Sequence, residues 1–432
     1  MKAKFRSIKS LRLKPLFPGL AAFACLLFGN AGGFAQNFLY SVTDLGTLPG
    51  LSDSSPTGIN NAGQVVGEAY SDGGYLHAFL YSGGTMMDIG ALPGDTNTTA
   101  SAINNAGQVA GYTYAFNPNH SNPIGPPQAF LYSGGKMTGL GTLPGYSEDG
   151  SQANGINKTG QVVGASYGSV NGHAFLYSGG RLSDLGTLGN PTNESSAAVG
   201  INDPGQAVGV STLNGTDYAV LFSGGTVTEL GTLPGYSYSS PGAINNAGQA
   251  AGSAEDSDGN THAVLYSGGT MKDLGTLPNY AQSVATGINN SGQVVGYVFN
   301  PQESGHAFLY SGGTMMDLNN LLLQGLAGNL AEAYGINDGG QIVCYGGNNH
   351  AVLLTPIGGV QITGVTISHS NVVLGFSTVS NALYDIQSTT NLASTPWSTI
   401  VSNIQGLGVA TNYTNIGGAS LSHKFYRLRV HN

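Results

Sequence analysis

The sequence predicts an all-β protein: a seven-bladed β-propeller closed by its N-terminal strand, followed by a small β-sandwich. Three observations carry this expectation. A unit marked by Ile-Asn and then Gly-Gln starts at Ile59, Ile103, Ile156, Ile201, Ile244, Ile288 and Ile336, at intervals of 43 to 53 residues, a period that belongs to propellers and solenoids. The 69 glycines and the 8% of charged residues among 432 suit a turn-rich β chain better than helices. Finally, the fourth strand of the unit occurs once before the first unit and is missing from the last. Those ends fit a closed ring better than a capped stack.

Taken in order, the first 35 residues stand apart. Lys2, Lys4, Arg6, Lys9, Arg12 and Lys14 precede an apolar run at 16–28. Gly33 and Ala35 put small residues at the third and first positions before a cut, so residues 1–35 read as a secretory signal peptide cleaved after Ala35. The run is short and interrupted by Pro18 and Gly19, so no transmembrane span is expected in the mature chain. Lipidation at Cys25 is disfavoured by Phe23, which is bulky where a small residue belongs. Cleavage removes six of the 13 basic residues and none of the 22 acidic ones, leaving a net charge of −15. Phosphates are held by clustered Lys and Arg, so no nucleic-acid partner is expected and an anionic membrane is a poor one. Cys344 alone remains, which rules out an internal disulfide framework. In its strand-like run it reads as a small buried apolar residue and not a nucleophile.

Residues 36–357 hold the repeats. Each unit reads as four strands, a to d: a small-residue strand ending in Ile-Asn, then Gln-Val-Val-Gly, then His-Ala-Phe-Leu-Tyr, then Met-x-Asp-Leu-Gly. Four strands in about 45 residues match one propeller blade. Gly83-Gly84 between c and d reads as a two-residue hairpin turn, because glycine accepts the positive φ required there. Asn60, Gly63 and Gln64 recur in all seven units and read as the a-to-b turn. Asp44-Leu45-Gly46 is a d strand with no unit ahead of it, and the seventh unit ends after its c strand at Pro356. Pairing those two ends would complete the seventh blade.

These motifs resemble the HAF-repeat proteins, extracellular bacterial proteins named for the His-Ala-Phe found here at His77, His173 and His306. The resemblance covers about residues 37–355 and implies secretion and repetition, with no activity to carry over. Units with Ala-Val at Ala219, Ala263 and Ala351 depart mildly from the pattern. Residues 358–432 leave the period. Alternating runs at 360–367, 372–376, 384–387, 397–401 and 425–430 resemble a fibronectin type III-like β-sandwich. Similar C-terminal modules on secreted bacterial proteins imply adhesion or surface sorting.

His77, His173, His262, His306 and His350 share one place in strand c, and Asp88, Asp184, Asp273 and Asp317 stand eleven residues beyond the first four. Where His gives way, to Gln128 and Tyr218, Asp gives way too, to Gly139 and Glu229. With the turn at Gly83-Gly84, Phe79 lies opposite Asp88 and His77 is diagonal to it on the same face. Structural His–Asp pairs follow, and ring closure pairs His350 with Asp44. No metal site is expected, because equivalent positions on different blades diverge whereas zinc needs three or four converging ligands. The run 256–260 resembles a calcium loop but has Ser267 where a Glu is required, so it reads as a b-to-c turn. No catalytic residue and no cofactor is implied.

Function is expected where the units differ. The d-to-a and b-to-c loops share one face, and rigid scaffolds commonly carry binding on such loops. Tyr146, Glu148, Asp149, Tyr236, Tyr238 and Tyr280 are the candidate binding residues, a set able to stack on and hydrogen-bond a sugar. The first reading is a secreted, monomeric, non-enzymatic binding or surface-interaction protein whose partner is an extracellular glycan or surface protein. The alternative is an extracellular polysaccharide hydrolase or lyase, which needs paired carboxylates about 5 to 10 Å apart. Glu148 and Asp149 are adjacent, and an extended chain points neighbours apart. A structural role in an envelope or matrix is the third reading.

Overall fold

The computed structural model describes residues 23–26, 39–70, 73–116, 124–146, 149–169, 171–300, 303–323, 326, 328–357, 362–368, 371–377, 383–389, 398–405, 410–415 and 423–431. Two compact units emerge, one spanning Ser41–Pro356 and the other gathering Met1–Tyr40 with Ile357–Asn432.

The larger unit is a seven-bladed β-propeller. Blade 1 runs through Asp53–Ile59, Val65–Tyr70, Leu76–Ser82 and Thr85–Asp88, hydrogen-bonded in that order. Blades 2 to 6 repeat the pattern from inner strands Asn97–Ile103, Ser151–Ile156, Ser196–Ile201, Tyr236–Ile244 and Gln282–Ile288. The seventh sheet draws on both ends of the repeat region: Leu39–Asp44 lies beside Ala351–Ile357, then Ile342–Tyr345, then Glu332–Ile336. A 3-10 turn at Leu318–Leu321 is the one helical element among the described residues.

Local chemistry explains why each unit takes this form. Ser82 pairs with Thr85 across Gly83 and Gly84, whose φ values of 59° and 86° are reached at low cost only by glycine. Asn60 closes the a-to-b turn by accepting at Oδ1 from the backbone of Ala62 and Gln64, both at 3.0 Å. Deeper in the blade, Gly67 faces Phe79 across the ladder, and a Cβ there would meet the Ser55 carbonyl at 2.1 Å. In blade 7 the same position is Cys344, and its cross-strand partner is the smaller Val352. Burial pushes the Cys344 thiol up, which suits the apolar role read from the sequence.

The core lies between blades. Val66, Ala78, Phe130 and Tyr132 belong to one apolar cluster shared by blades 1 and 2. Leu45, Leu48, Val65, Phe79, Val343 and Leu353 belong to another, shared by blades 7 and 1. Inner strands are also latched from blade to blade. Ser54 Oγ, for example, donates to the Gly46 carbonyl at 2.6 Å and accepts from Ala351 N at 2.9 Å. Every inner strand carries a bulge at the same place, shifting register between Pro56 and Gly58 in blade 1 and at the equivalent step in the other six.

In the smaller unit, Ile362–Ser368, Asn371–Ser377 and Ala410–Asn415 form one sheet. Ser398–Gln405, Leu383–Thr389 and His423–His431 form a second. Val372, Leu374 and Phe376 of the first pack in one cluster with Ile386 and Tyr426 of the second. The strand at Ala410–Asn415 was not read from the sequence, since Thr-Asn-Tyr-Thr-Asn lacks an apolar alternation. Of the expected signal segment only Phe23–Leu26 is described, as a strand parallel to the start of His423–His431. The cleavage position lies outside the described residues.

Candidate functional site

Three arrangements of polar side chains stand out in the propeller, and they differ in how fully they are satisfied. The first is a belt around the axis at the end of the inner strands. Asn60 Nδ2 donates to Gln64 Oε1 at 2.7 Å within its own turn and to the Asn104 carbonyl of the next blade at 3.0 Å. The same step runs from Asn104 to Asn157, Asn202, Asn245, Asn289 and Asn337. Asn337 then returns to the Asn60 carbonyl at 3.0 Å, so the chain of bonds is circular.

A second tier follows with the next residue of each unit. Six of its seven steps are bonds from a backbone N–H to the neighbour's Oδ1, as from Asp338 N to Asn61 at 2.9 Å. The step into Lys158 lacks one because lysine has no acceptor. Burial opposes ionisation of Asp338, but hydrogen bonds from Asn290 and Asn61 outweigh it and hold the carboxyl below its ordinary value. A cavity of ≈ 210 Å³ opens at this end of the axis, lined by the Ile-Asn-x residues of all seven units. Both amide hydrogens and the Oδ1 of each belt asparagine are already engaged, so the belt asparagines themselves have little left to offer a ligand.

The second arrangement brackets strand c to strand d. His77 Nδ1 lies 2.7 Å from Asp88 Oδ2, His173 2.7 Å from Asp184, and His262 2.9 Å from Asp273. His306 is 2.9 Å from Asp317, and His350 2.9 Å from Asp44. The second carboxylate oxygen caps the turn that leaves strand d, as when Gly90 N donates to Asp88 Oδ1 at 2.7 Å. Three of the candidate tyrosines lie against these histidines: Tyr146 on His173 at 5.0 Å between ring centroids, Tyr236 on His262 at 5.7 Å, and Tyr280 on His306 at 5.3 Å. Burial, then the charge of Asp184, pushes the Tyr146 phenol up. Where blade 2 has Gln128 for His, Asp95 stands at the tyrosine's place and accepts from Gln128 Nε2 at 3.2 Å. Tyr238 is 48% exposed and Asp149 is also exposed. Glu148 lies outside the described residues. No group of His, Cys, Asp and Glu able to hold a metal occurs among the described residues. The run at 256–260 is a hairpin turn, with Asp256 N donating to the Asn260 carbonyl at 3.0 Å.

The third arrangement sequence reasoning missed. On the inner and second strands of blades 7, 1 and 2, Tyr334 Oη donates to Glu332 Oε2 at 2.7 Å and also bonds Ser55. Ser55 sits directly across the ladder from Glu68. Burial raises Glu68 above the ordinary carboxylate range, with a hydrogen bond from Thr99 pulling the other way. Burial also pushes up Tyr112 and Tyr297, the latter helped by the charge of Glu332. Tyr70 rises to about 12 through burial and its bond to Tyr345. The available signal was a break in the repeat: the residue after the second-strand glycine, or after Cys344 in blade 7, is Glu68, Tyr112, Tyr297 or Tyr345 in these blades and blade 6, but Ala165, Val210 or Ser253 elsewhere.

No helix among the described residues is long and apolar enough to cross a membrane. No protein-family model matches the chain, and no curated protein matches it. Several solved structures are similar in fold. TolB from Acinetobacter baumannii is 12% identical, with 74% of this chain and 63% of that one covered and a TM-score of 0.38, so the chain spans under two thirds of TolB's length. A gluconolactonase from Xanthomonas campestris is 10% identical over 74% and 90% of the two chains, with a TM-score of 0.36. An oligogalacturonate lyase from Vibrio parahaemolyticus is 9% identical over 73% and 93%, with a TM-score of 0.44. A lactonase and a lyase stand side by side in this group, and likeness of fold at this level assigns no activity.

Proposed function

We propose that the chain is a secreted, non-enzymatic binding or surface-interaction protein of the HAF-repeat kind, recognising its partner with the d-to-a and b-to-c loops of one propeller face. On this reading the ring is closed by its N-terminal strand, the signal peptide is removed after Ala35, and a C-terminal β-sandwich serves as the attachment module. The observation that supports it is the contrast between the two faces. On one, every blade presents the same Asn-x-x-Gly turn, tied into a circular hydrogen-bond belt. On the other, the loops differ from blade to blade in length and chemistry, over strands held rigid by the His–Asp brackets.

The test uses the exported chain from Gln36 onward on immobilised extracellular polysaccharides. Retention on at least one polymer is expected, weakened about tenfold, or about 1.4 kcal/mol, by Tyr238→Ala combined with Asp149→Ala, with no release of reducing ends. Retention that ignores both substitutions, or steady product release, overturns the reading.

A further inference from the structure

We propose that the inner and second strands of blades 6, 7, 1 and 2 form an axial binding site for a short neutral oligosaccharide, built from tyrosine rings and the carboxylates of Glu68 and Glu332. This deepens the proposed function and rests on it, since the inner strands begin at the variable face.

The first argument is register. Glu68, Tyr112, Tyr297 and Tyr345 occupy a position that Ala165, Val210 and Ser253 fill in blades 3, 4 and 5. The blade folds with a small or apolar residue there, so ionisable and phenolic groups are not a requirement of the scaffold. Partly burying a carboxylate costs free energy, as the direction of the Glu68 shift shows. A cost carried at one arc of the ring and avoided at the rest marks a position kept for another purpose.

Exposure supplies the second argument. Glu68, Tyr112, Tyr297, Glu332 and Tyr334 are all half-buried. The inner strand is the uncovered edge of each four-stranded sheet, so Glu332 and Tyr334 stand at the axis and Glu68, Tyr112 and Tyr297 one strand behind them.

A third, independent observation is Asn97, on the same strand face as Thr99 and one step nearer the variable loops. It is fully buried; its Nδ2 donates to the Gly74 carbonyl at 3.1 Å and to Tyr114 Oη at 3.3 Å, while Oδ1 has no partner. A buried amide oxygen left unpaired has capacity for one more donor. Tyr114 in turn stacks on Tyr112, with centroids 6.3 Å apart and planes 25° from parallel.

The ligand class follows from what the arc offers. Flat phenol rings suit the apolar C–H faces of a pyranose, and carboxylate and amide oxygens accept from sugar hydroxyls. The inner and second strands of these four blades contain no Lys, Arg or His. An anionic sugar would meet Glu68 and Glu332 with no countercharge, so uronates, sulfates and phosphates are disfavoured.

The experiment is calorimetry on the full exported chain with tetrasaccharides of glucose, xylose and mannose, beside a galacturonate tetramer. At least one neutral tetramer should bind, the uronate should bind at least tenfold more weakly, and Tyr112→Ala and Glu332→Gln should each weaken neutral binding at least tenfold. Ala165 shows that alanine is tolerated at this register, and a melting curve on each variant verifies folding. Met87→Ala, on an outer strand, should leave binding unchanged. Binding of no neutral tetramer, or binding that survives both inner substitutions, overturns the site. If that happens while polymer retention still depends on Tyr238 and Asp149, the loop-face reading stands and the axial site alone falls.

Discussion

The same seven inner strands carry two kinds of polar chemistry a few residues apart. At their ends, Asn60 and its six counterparts are identical in every blade, each with both amide hydrogens donated and Oδ1 accepting from the backbone of its own turn. Two turns of the pleat higher, Ser55, Thr99, Gln152, Ala197, Ser240, Val284 and Glu332 share one register and little else. Repetition with complete satisfaction is what a scaffold needs, because one unsatisfied group inside the ring costs about 1–3 kcal/mol. Variation with partly buried, titratable groups is what a site needs, because binding energy comes from groups the fold has not used up. The belt reads as structure and the arc as recognition.

The sharpest way to break this comparison is to remove one belt member. Asn289→Ala would strip the backbone N–H groups of Ser291 and Gln293 of their acceptor and the Asn337 carbonyl and Gln293 Oε1 of their donor. A loss of about 3 kcal/mol or more is expected from urea unfolding, with the melt staying a single transition. A loss below about 0.5 kcal/mol would mean water substitutes for the belt, and the distinction between the two levels would go with it.

How much of this was readable beforehand depends on how local each signal is. The hairpin at Gly83-Gly84, the bracket of His77 with Asp88, and the order of strands within a unit all rest on residues within a dozen positions. Period and turn chemistry suffice for those. Asn60 was read as a turn residue, which its bonds to Ala62 and Gln64 agree with, but its second role needs the neighbouring blade. Nothing in a single unit says that the Nδ2 hydrogen left over will find the Asn104 carbonyl. The arc is less local still. Glu68 and Glu332 lie at opposite ends of the repeat region, and Tyr334 reaches Ser55 only because blade 7 sits beside blade 1. Glu148 and Asp149 are the acids adjacent in sequence, whereas Glu68 and Glu332 are 264 residues apart and meet in one arc only through the fold. The tyrosines at 146, 236 and 280 stand out in the sequence by loop composition, yet each has a histidine face beneath it that only the fold reveals.

The brackets offer an intermediate test, since they repeat like the belt but differ in burial. The His173 side chain is 2% exposed and that of His77 is 38% exposed. His173 also lies 3.0 Å from the Pro191 carbonyl and under the Tyr146 ring. His173→Ala should cost about 2 kcal/mol, from the space left and the partners stranded, and His77→Ala less than about 1 kcal/mol. Thermal melts of the two variants decide it. Equal losses would show that the pair alone, and not its surroundings, holds strand c to strand d.

The smallest expected effect sharpens the comparison most, because the two levels should respond to pH with opposite sign. Asp338 in the belt is held below its ordinary 3.8 by its amide donors, so folding favours its charged form. That stability is fully present above about pH 4 and is lost as pH falls through the folded-state value. Glu68 in the arc is held above its ordinary 4.5 by burial, so folding favours its neutral form. Its contribution is fully present below pH 4.5 and is lost as pH rises through the folded-state value. Unfolding of Asp338→Asn and Glu68→Gln between pH 3 and 8 therefore separates them. Near neutrality Asp338→Asn should be less stable than the parent and Glu68→Gln slightly more stable, by less than about 1 kcal/mol and so by only a few degrees in Tm. Both differences should shrink toward the acid end, the second before the first. Two variants shifting the same way at neutral pH would put both carboxylates in the scaffold and leave the arc without the strain that sets it apart.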